Sequence, residues 1–89
     1  MKAVVTVVGK DQVGIIAAVC VHLASYNVNV LDISQTVMQG YFTMMMVVDV
    51  SSSNIPVSEL AQQMEEKGKE MSLSIRLQRE DIFDAMHRV

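Results

Sequence analysis

The residues with the clearest potential for chemistry lie in the run from Gly9 to Gly14, which reads Gly-Lys-Asp-Gln-Val-Gly. A segment rich in β-branched residues ends at Gly9, and an apolar pattern of helical period begins at Gly14, so the run is predicted to form a strand-to-helix turn. Such a turn presents free backbone N–H groups at a helix N-terminus, where a small anionic group binds favourably. The sequence shows no arrangement typical of a nucleophile or a metal cluster. These residues indicate binding rather than catalysis, with no catalytic residue and no cofactor.

Hydrophobic alternation predicts the strands that must position this turn. They are expected at residues 3–8, 28–38, 41–50 and 71–78. The segments 3–8 and 41–50 are apolar on both faces, which favours central places in a sheet, whereas 28–38 is polar enough to lie at an edge. Within 41–50 the side chains predicted to face the core are Phe42, Met44, Met46, Val48 and Val50.

Two long helices and a short one complete the predicted set of elements. The first covers residues 14–26 and ends near Asn27, because asparagine tolerates the left-handed conformation. The apolar stripe of this helix is predicted to contain Ile16, Val19, Cys20 and Leu23. The second helix starts at Pro56 and is predicted to end at a Gly68 cap. A short amphipathic helix follows the last strand.

The order βαββαβ with a C-terminal helix predicts an α+β fold of the ferredoxin-like class. Right-handed crossovers place both long helices on one face of an antiparallel four-stranded sheet, with the first and third strands in the centre. The chain is expected to form a single domain over residues 1–89, with a core over 1–79 and a helical tail over 80–89. The tail is expected to fold back over an exposed edge of the sheet.

Bulk composition excludes several classes of partner. The net charge of −3 and an aromatic content of 4% argue against nucleic acid, and no apolar run is long enough to span a membrane. The single cysteine, Cys20, rules out an intrachain disulfide and fits a reducing, cytoplasmic location; on its apolar stripe it is expected to be a small core residue. The spacing of His22 and His87 predicts no metal site. A hydrophobic content of 51% in so small a chain favours a homodimer or a higher oligomer.

The segment 8–17, reading Val-Gly-Lys-Asp-Gln-Val-Gly-Ile-Ile-Ala, and the segment 27–35, reading Asn-Val-Asn-Val-Leu-Asp-Ile-Ser-Gln, resemble the ACT domain. The likeness extends over essentially the whole chain. It is similar to stand-alone bacterial ACT proteins related to the glycine cleavage system repressor, and to the N-terminal ACT module of formyltetrahydrofolate deformylase. The resemblance implies a non-catalytic regulatory module that binds a small amino acid and modulates a partner protein.

The resemblance also implies where the ligand binds. ACT domains dimerise side by side into one continuous sheet, and the ligand lies between the first strand–helix loop of one copy and the second strand of its neighbour. Carried onto this sequence, the ligand-binding residues are Asp11, Gln12, Val13, Gly14 and Ile15 in the loop, with Asn29 and Val30 in the strand. Backbone N–H groups would bind the carboxylate, and oxygens of Asp11 and Asn29 would accept from the ammonium group.

Each of these residues also has a purely structural interpretation. Asp11 is of a type that commonly caps helices, and Gly14 is of a type needed for close helix–strand packing. Asn29 is able to bond a neighbouring turn, and Asp32 fits a solvated position at the sheet edge.

Three other functions were weighed against the amino-acid sensor. The first is a protein–protein adaptor without a functional ligand pocket, in which the dimer surface is itself the function. The apolar residues Val21, Met45 and Val47, expected at the surface, argue against a monomer. A small acylphosphatase-like enzyme would need an arginine cradle in the first loop, which offers only Lys10. RNA binding would need aromatic residues on one sheet face, whereas Tyr41 and Phe42 are adjacent and point to opposite faces.

Overall fold

A computed structural model, which describes residues 1–86, has the predicted order of elements. Strands β1 to β4 are Lys2–Lys10, Asn29–Met38, Tyr41–Asp49 and Ser74–Arg79. Helices α1 to α3 are Ile15–Ser25, Val57–Glu70 and Glu80–Met86. The strands form one antiparallel sheet in the order β2-β3-β1-β4, so the first and third strands are central, as predicted. The fold is the ferredoxin-like sandwich.

The core lies between the sheet and helices α1 and α2. Met44 and Met46, predicted to face the core, are fully buried, and every member of the predicted inner face of β3 is buried with them. Side chains from β1, β4 and both helices complete this cluster, including Val5, Val7, Leu23, Leu60, Met64 and Ile75.

The buried row of α1 differs from the predicted stripe. Ile15, Val19 and Leu23 are the buried residues, whereas Ile16 and Cys20 are only partly buried against the core. Because nearly every position of this helix is apolar, the pattern alone does not determine which stripe faces the sheet. Cys20 is a partly buried neighbour of the core, in keeping with its interpretation as a small hydrophobic residue.

Both long helices end with a left-handed residue, but the predicted cap of α2 was wrong. Asn27 has a φ of 61°, as expected at the end of α1. Helix α2 continues past Gly68, and the left-handed residue is Ser72, with a φ of 59°. A Cβ added to Gly68 would lie 2.7 Å from the Leu73 carbonyl oxygen. The glycine is therefore required for close approach of the backbone rather than for a cap.

The hairpin between β2 and β3 places the C-terminal end of β2 at the same end of the sheet as the C-terminal end of β1, with β3 between them. Its turn residues Gln39 and Gly40 have φ values of 52° and 82°, as the tight turns of antiparallel hairpins require. The resulting register pairs Val37 with Phe42, and Phe42 with Gly9. The backbone N–H of Asp11 donates to the Gly40 carbonyl oxygen at 2.8 Å, which fixes the β1–α1 turn to the hairpin.

Helix α3 is the described part of the predicted tail. It contacts β1 and the edge strand β4, in keeping with a tail that folds back over an edge. Residues 87–89, including His87, lie outside the described residues. Within residues 1–86 every helix is too short or too polar to cross a bilayer.

Candidate functional site

The turn between β1 and α1 exposes the N-terminus of the helix. Gly14 is the residue that caps α1, and no side chain makes a capping hydrogen bond there. The Ala18 N–H donates to the Gly14 carbonyl oxygen at 2.9 Å. Helix geometry leaves the N–H groups of the preceding residues, 15–17, without an acceptor inside the helix. The turn therefore presents several backbone donors at the positive end of the helix dipole.

Gly14 is needed for its backbone conformation. Its φ is +88°, and a Cβ added there would meet no protein atom within 4 Å. The interpretation of Gly14 as a helix–strand packing residue is therefore wrong. Its Cβ position opens onto free space beside the helix N-terminus.

Asp11 does not cap the helix, contrary to the structural interpretation considered for it. It lies three positions before Gly14, and its carboxylate makes no hydrogen bond to any of residues 1–86. The side chain is exposed, while the backbone N–H is held by the hairpin. The carboxylate is thus available to an external cation on a fixed backbone.

The middle of the turn is anchored on one side and open on the other. The Gln12 side-chain amide, Nε2, donates to the Met71 carbonyl oxygen at 2.9 Å, which ties the turn to the end of α2. Val13, the next residue, is fully exposed at the tip. Gln12 therefore has a structural partner already, whereas Val13 has its whole side chain available for contact with another molecule.

A cavity of about 390 Å³ opens beside this turn, within the size range of small-molecule sites. Asp11 is the one charged residue among the described residues that line it. The lining residues are Asp11, Gln12, Gly14, Ile15, Ile16, Ala17, Gln35, Thr36, Val37 and Phe42. Gln35, which pairs with Met44 on the inner face of the sheet, adds a neutral polar side chain to this lining.

Sequence reasoning did not include Gln35 and Thr36 among the site residues. The signal that could have found them is the Gln39–Gly40 turn. A two-residue hairpin there fixes Val37 opposite Phe42, and a central β1 then lies directly beyond Phe42. Counting back along β2 from this turn would have placed residues 35–37 at the same end of the sheet as the C-terminal end of β1.

Asn29 and Val30 lie at the other end of the sheet from the turn. Asn29 pairs with Asp49, which pairs in turn with Lys2, whereas the turn follows Lys10. One protomer therefore does not bring the two predicted halves of the site together. The interpretation of Asn29 as a partner of a local turn is wrong. The hydrogen bond to a neighbouring turn comes instead from Asn27, whose Nδ2 donates to the Ser52 carbonyl oxygen at 2.9 Å.

The electrostatic features outside the cavity are structural. The backbone N–H of Ser51 donates to Asp49 and lowers the pKa of that carboxyl, and a hydrogen bond from Arg79 lowers the pKa of Asp81. Within residues 1–86 no group of three histidine, cysteine or acidic side chains is placed to hold a metal ion. The cavity thus offers backbone donors, one carboxylate and neutral polar groups, a set suited to binding a small zwitterion.

Comparison with known proteins identifies the family. The ACT domain family model matches residues 2–78. The chain belongs to the ACT domain family. A UPF0237 protein of Clostridium acetobutylicum is 52% identical over 89 residues and is covered, like this chain, over 100% of its length. ACT domains are typically regulatory modules that bind ligands.

Solved structures extend the likeness to the fold. An ACT domain protein from Streptococcus pneumoniae superimposes with a TM-score of 0.83 at 44% identity, covering 98% of each chain. A structure described as a putative glycine cleavage system transcriptional repressor has a TM-score of 0.75 at 22% identity, covering 88% of this chain and 44% of that one. A formyltetrahydrofolate deformylase from Pseudomonas syringae has a TM-score of 0.78 at 22% identity, covering 86% of this chain and 27% of that one. At that identity the last two show a shared fold only.

Proposed function

We propose that this protein is a non-catalytic, homodimeric sensor that binds a small amino acid at the β1–α1 turn and modulates a partner protein. One observation carries the proposal. A helix N-terminus with free N–H groups and the carboxylate of Asp11, which makes no hydrogen bond within residues 1–86, border the same cavity. An amino acid zwitterion carries the complement of both, with its carboxylate and its ammonium group attached to the same carbon atom.

The charges of the cavity favour an amino acid with a small, uncharged side chain. The ligand carboxylate would accept from N–H groups at the start of α1, where the helix dipole favours negative charge. The ammonium group would donate to Asp11, giving a charge-assisted hydrogen bond. The described lining contains no cationic side chain that could balance an acidic ligand side chain. Its volume of about 390 Å³ is near the low end of the range for ligand pockets.

A second copy would supply the remaining part of the site. Strand β2 is ten residues long, lies at the edge of the sheet and is exposed along nearly its whole length. A long exposed edge is a template for pairing with another strand. Antiparallel pairing of two β2 strands about an axis near Ile33 would bring the end of β2 that carries Asn29 and Val30 in one copy alongside the end that carries Val37 and Met38 in the other, and so towards the cavity.

Thermal and chemical denaturation with individual amino acids tests the proposal. We expect one or a few small amino acids to stabilise the protein, by about 2.7 kcal/mol when the ligand is present at 100 times its Kd. The variant Asp11→Ala should lose most of this stabilisation, while Glu66→Gln, on the exposed surface of α2, should retain it. If none of the standard amino acids stabilises the wild-type protein, the sensor proposal fails.

The adaptor remains the second candidate because one observation favours it. Val13 projects fully exposed from the tip of a turn that is anchored by Gln12 and Asp11, an arrangement suited to insertion into another protein. Affinity purification from cell extract separates the two functions. A stable complex that is indifferent to added amino acids and lost in Val13→Ser would support the adaptor. A complex that responds to an amino acid would support the sensor.

A further inference from the structure

The face of the sheet opposite α1 and α2, called here the open face, carries an uncovered apolar strip near the β1–α1 turn. The face consists of the even-numbered residues of β1 and β4, the odd-numbered residues of β3 and the residues of β2 paired with them. The members of the strip are the exposed hydrophobic side chains Val8, Met38, Tyr41 and Met45.

These four side chains are neighbours on the sheet. Met38 pairs directly with Tyr41. Val8 pairs with Thr43, and Tyr41 and Met45 flank Thr43 on the same face of β3. Direct and diagonal neighbours of this kind are within reach of long side chains. An antiparallel sheet that faces water normally carries polar residues on that face, so a contiguous apolar strip indicates a surface for another molecule.

Two cations border the strip. Lys10 pairs with Tyr41 at one end. Arg76 lies in the row of Met45 at the other end, with Thr6 between them. The two rows are four residues apart on β1, about 13 Å. Both cationic side chains are exposed, and neither makes an ion pair with any of residues 1–86.

The acidic side chains around the strip lie outside it. Asp11 follows Lys10 but lines the cavity on the helix side of the sheet. Glu65 of α2 borders the same surface clefts as Arg76, at the β4 edge, without forming an ion pair with it. The other acidic residues near the open face lie at its far end, on β2, β3 and α3: Asp32, Asp49, Glu80, Asp81 and Asp84.

The cations at the far end do not reverse its charge. The N-terminal amine lies 3.6 Å from Asp49, and Arg79 donates to Asp81 at 2.8 Å. Lys2 is the remaining cation on that end of the face. The open face is therefore basic along the strip and acidic at the end where α3 lies.

Helix α3 shows what the face binds within the chain itself. It lies against β1 and β4 at the far end, beside Val4, which belongs to the open face and is buried. Its sequence is Glu-Asp-Ile-Phe-Asp-Ala-Met, with Phe83 half-buried and Asp84 exposed. One part of the face is thus already covered by a short acidic helix with apolar residues, whereas the strip beside it is not.

We propose that the strip binds an amphipathic helix of the partner protein, with carboxylates at both ends of its apolar stripe. The inference rests on the proposed function for the existence of that partner. Apolar side chains of the helix would pack on Tyr41 and Met45, and its carboxylates would accept from Lys10 and Arg76. A separation of about 13 Å corresponds to about nine residues of helix. The acidic far end repels a helix of this charge, which confines it to the strip.

Fluorescence anisotropy with two labelled synthetic helices tests the inference. Both carry the same leucine stripe, which is flanked by glutamates in one helix and by lysines in the other. We expect the full-length wild-type protein to bind the glutamate helix at least about tenfold more tightly, equivalent to 1.4 kcal/mol. Met45→Ser should weaken this binding by loss of apolar contact, and Lys10→Glu should weaken it several-fold and improve binding of the lysine helix. The control Lys67→Glu, on α2, makes the same change of charge away from the open face and should bind like the wild type.

Several outcomes would overturn the inference. They are no binding of the glutamate helix by the wild-type protein, equal affinity for both helices, and binding that survives both Lys10→Glu and Met45→Ser. Tighter binding of duplex DNA or of anionic vesicles would assign the strip to a phosphate-bearing surface instead. Self-association that Met45→Ser abolishes would assign it to a second copy. All these measurements are made without added amino acids, so a protein that binds the glutamate helix but is stabilised by no amino acid would retain this surface and lose the sensor proposal.

Discussion

At the scale of single residues, the residue type at position 14 matters because the backbone of Gly14 is left-handed, with a φ of +88°. Gly14→Ala should destabilise the protein by about 1–2 kcal/mol, the cost of that conformation for a residue with a Cβ. Gly14→Asn should lose distinctly less, because asparagine tolerates it. Urea denaturation of the three proteins measures the difference. Equal losses for alanine and asparagine would show that volume, not backbone conformation, sets the requirement.

Gly68 is required for a different reason, because there is no space for a Cβ at its position. Replacing a glycine inside a helix by alanine ordinarily adds about 1 kcal/mol of stability. Here the new Cβ would lie 2.7 Å from the Leu73 carbonyl oxygen and 3.0 Å from Ile75, so Gly68→Ala should instead cost about 1–3 kcal/mol. Gln62→Ala, on the exposed face of the same helix, should change stability by less than about 0.5 kcal/mol. A gain of stability in Gly68→Ala would contradict the close packing of α2 on β4.

At the scale of elements, the end of β3 and the chain N-terminus are joined through Asp49. Its carboxylate accepts from the Ser51 backbone N–H at 2.9 Å and lies 3.6 Å from the N-terminal amine, whose other partner is the Ser51 hydroxyl. The pKa of Asp49 is lowered from 3.8, chiefly by the hydrogen bond from the Ser51 backbone. The charged carboxylate therefore stabilises the folded chain above that pH, and the contribution is lost as pH falls through the lowered pKa.

This coupling predicts a measurable acid sensitivity. Below pH 3.8 the unfolded chain binds a proton at Asp49 that the folded chain still excludes, so the free energy of unfolding decreases as the pH falls. Urea denaturation across this range should give a shallower decrease for Asp49→Asn than for the wild-type protein. Ser51→Ala keeps the backbone donor, so its decrease in the free energy of unfolding should lie between those of the wild-type protein and Asp49→Asn. An unchanged slope in Asp49→Asn would show that the bond contributes no stability in solution.

The strands and helices also show which features the sequence predicted correctly and which it did not. The alternation of β3 correctly identified Met44 and Met46 as core, because a period of two divides the strand into two faces and the other face carries the polar residues Thr43 and Asp49. The helical period correctly identified Val19 and Leu23 of α1 as core residues but missed Ile15, and Ile16 and Cys20 are only partly buried. A helix that is apolar nearly all round does not define the edge of its buried stripe. The sequence predicts a cap at Gly68 because glycine near a helix end is favoured both at a left-handed position and at a close backbone contact. Only the position of Leu73 in the structure shows that the close contact is the reason.

At the scale of the whole molecule, side-by-side pairing through β2 makes a prediction separate from ligand binding. Ile33 lies next to the proposed axis, so Ile33→Lys would bring a positive charge against its own copy. We expect the dissociation constant of this pairing to rise at least about tenfold, equivalent to 1.4 kcal/mol, as measured by sedimentation of the protein over a dilution series. Gln62→Lys, with the same added charge on α2, should dissociate like the wild type. Unaltered association of Ile33→Lys would place the pairing elsewhere.

Two predictions from the sequence concern the whole molecule, namely its location and the extent of its domain. The cytoplasmic location follows from cysteine usage and stays a prediction. The single domain over residues 1–89 also stays a prediction. The candidate site was predicted in part. The β1–α1 turn borders a cavity, whereas Asn29 and Val30 lie at the other end of the sheet and would reach it only in a second copy. Ligand binding by these residues stays a prediction.

The sequence by itself determined the order of elements, the central places of β1 and β3 and the exposed turn at Gly9–Gly14, because these depend on local periodicity and on residue type. Only the tertiary structure decided which distant residues meet. The register fixed by the Gln39–Gly40 hairpin brings Gln35 and Thr36 to the turn and carries Asn29 to the opposite end of the sheet. Contacts between strands far apart in the chain depend on which strands pair and how the elements pack, and the local signal of the hairpin turn does not determine these by itself.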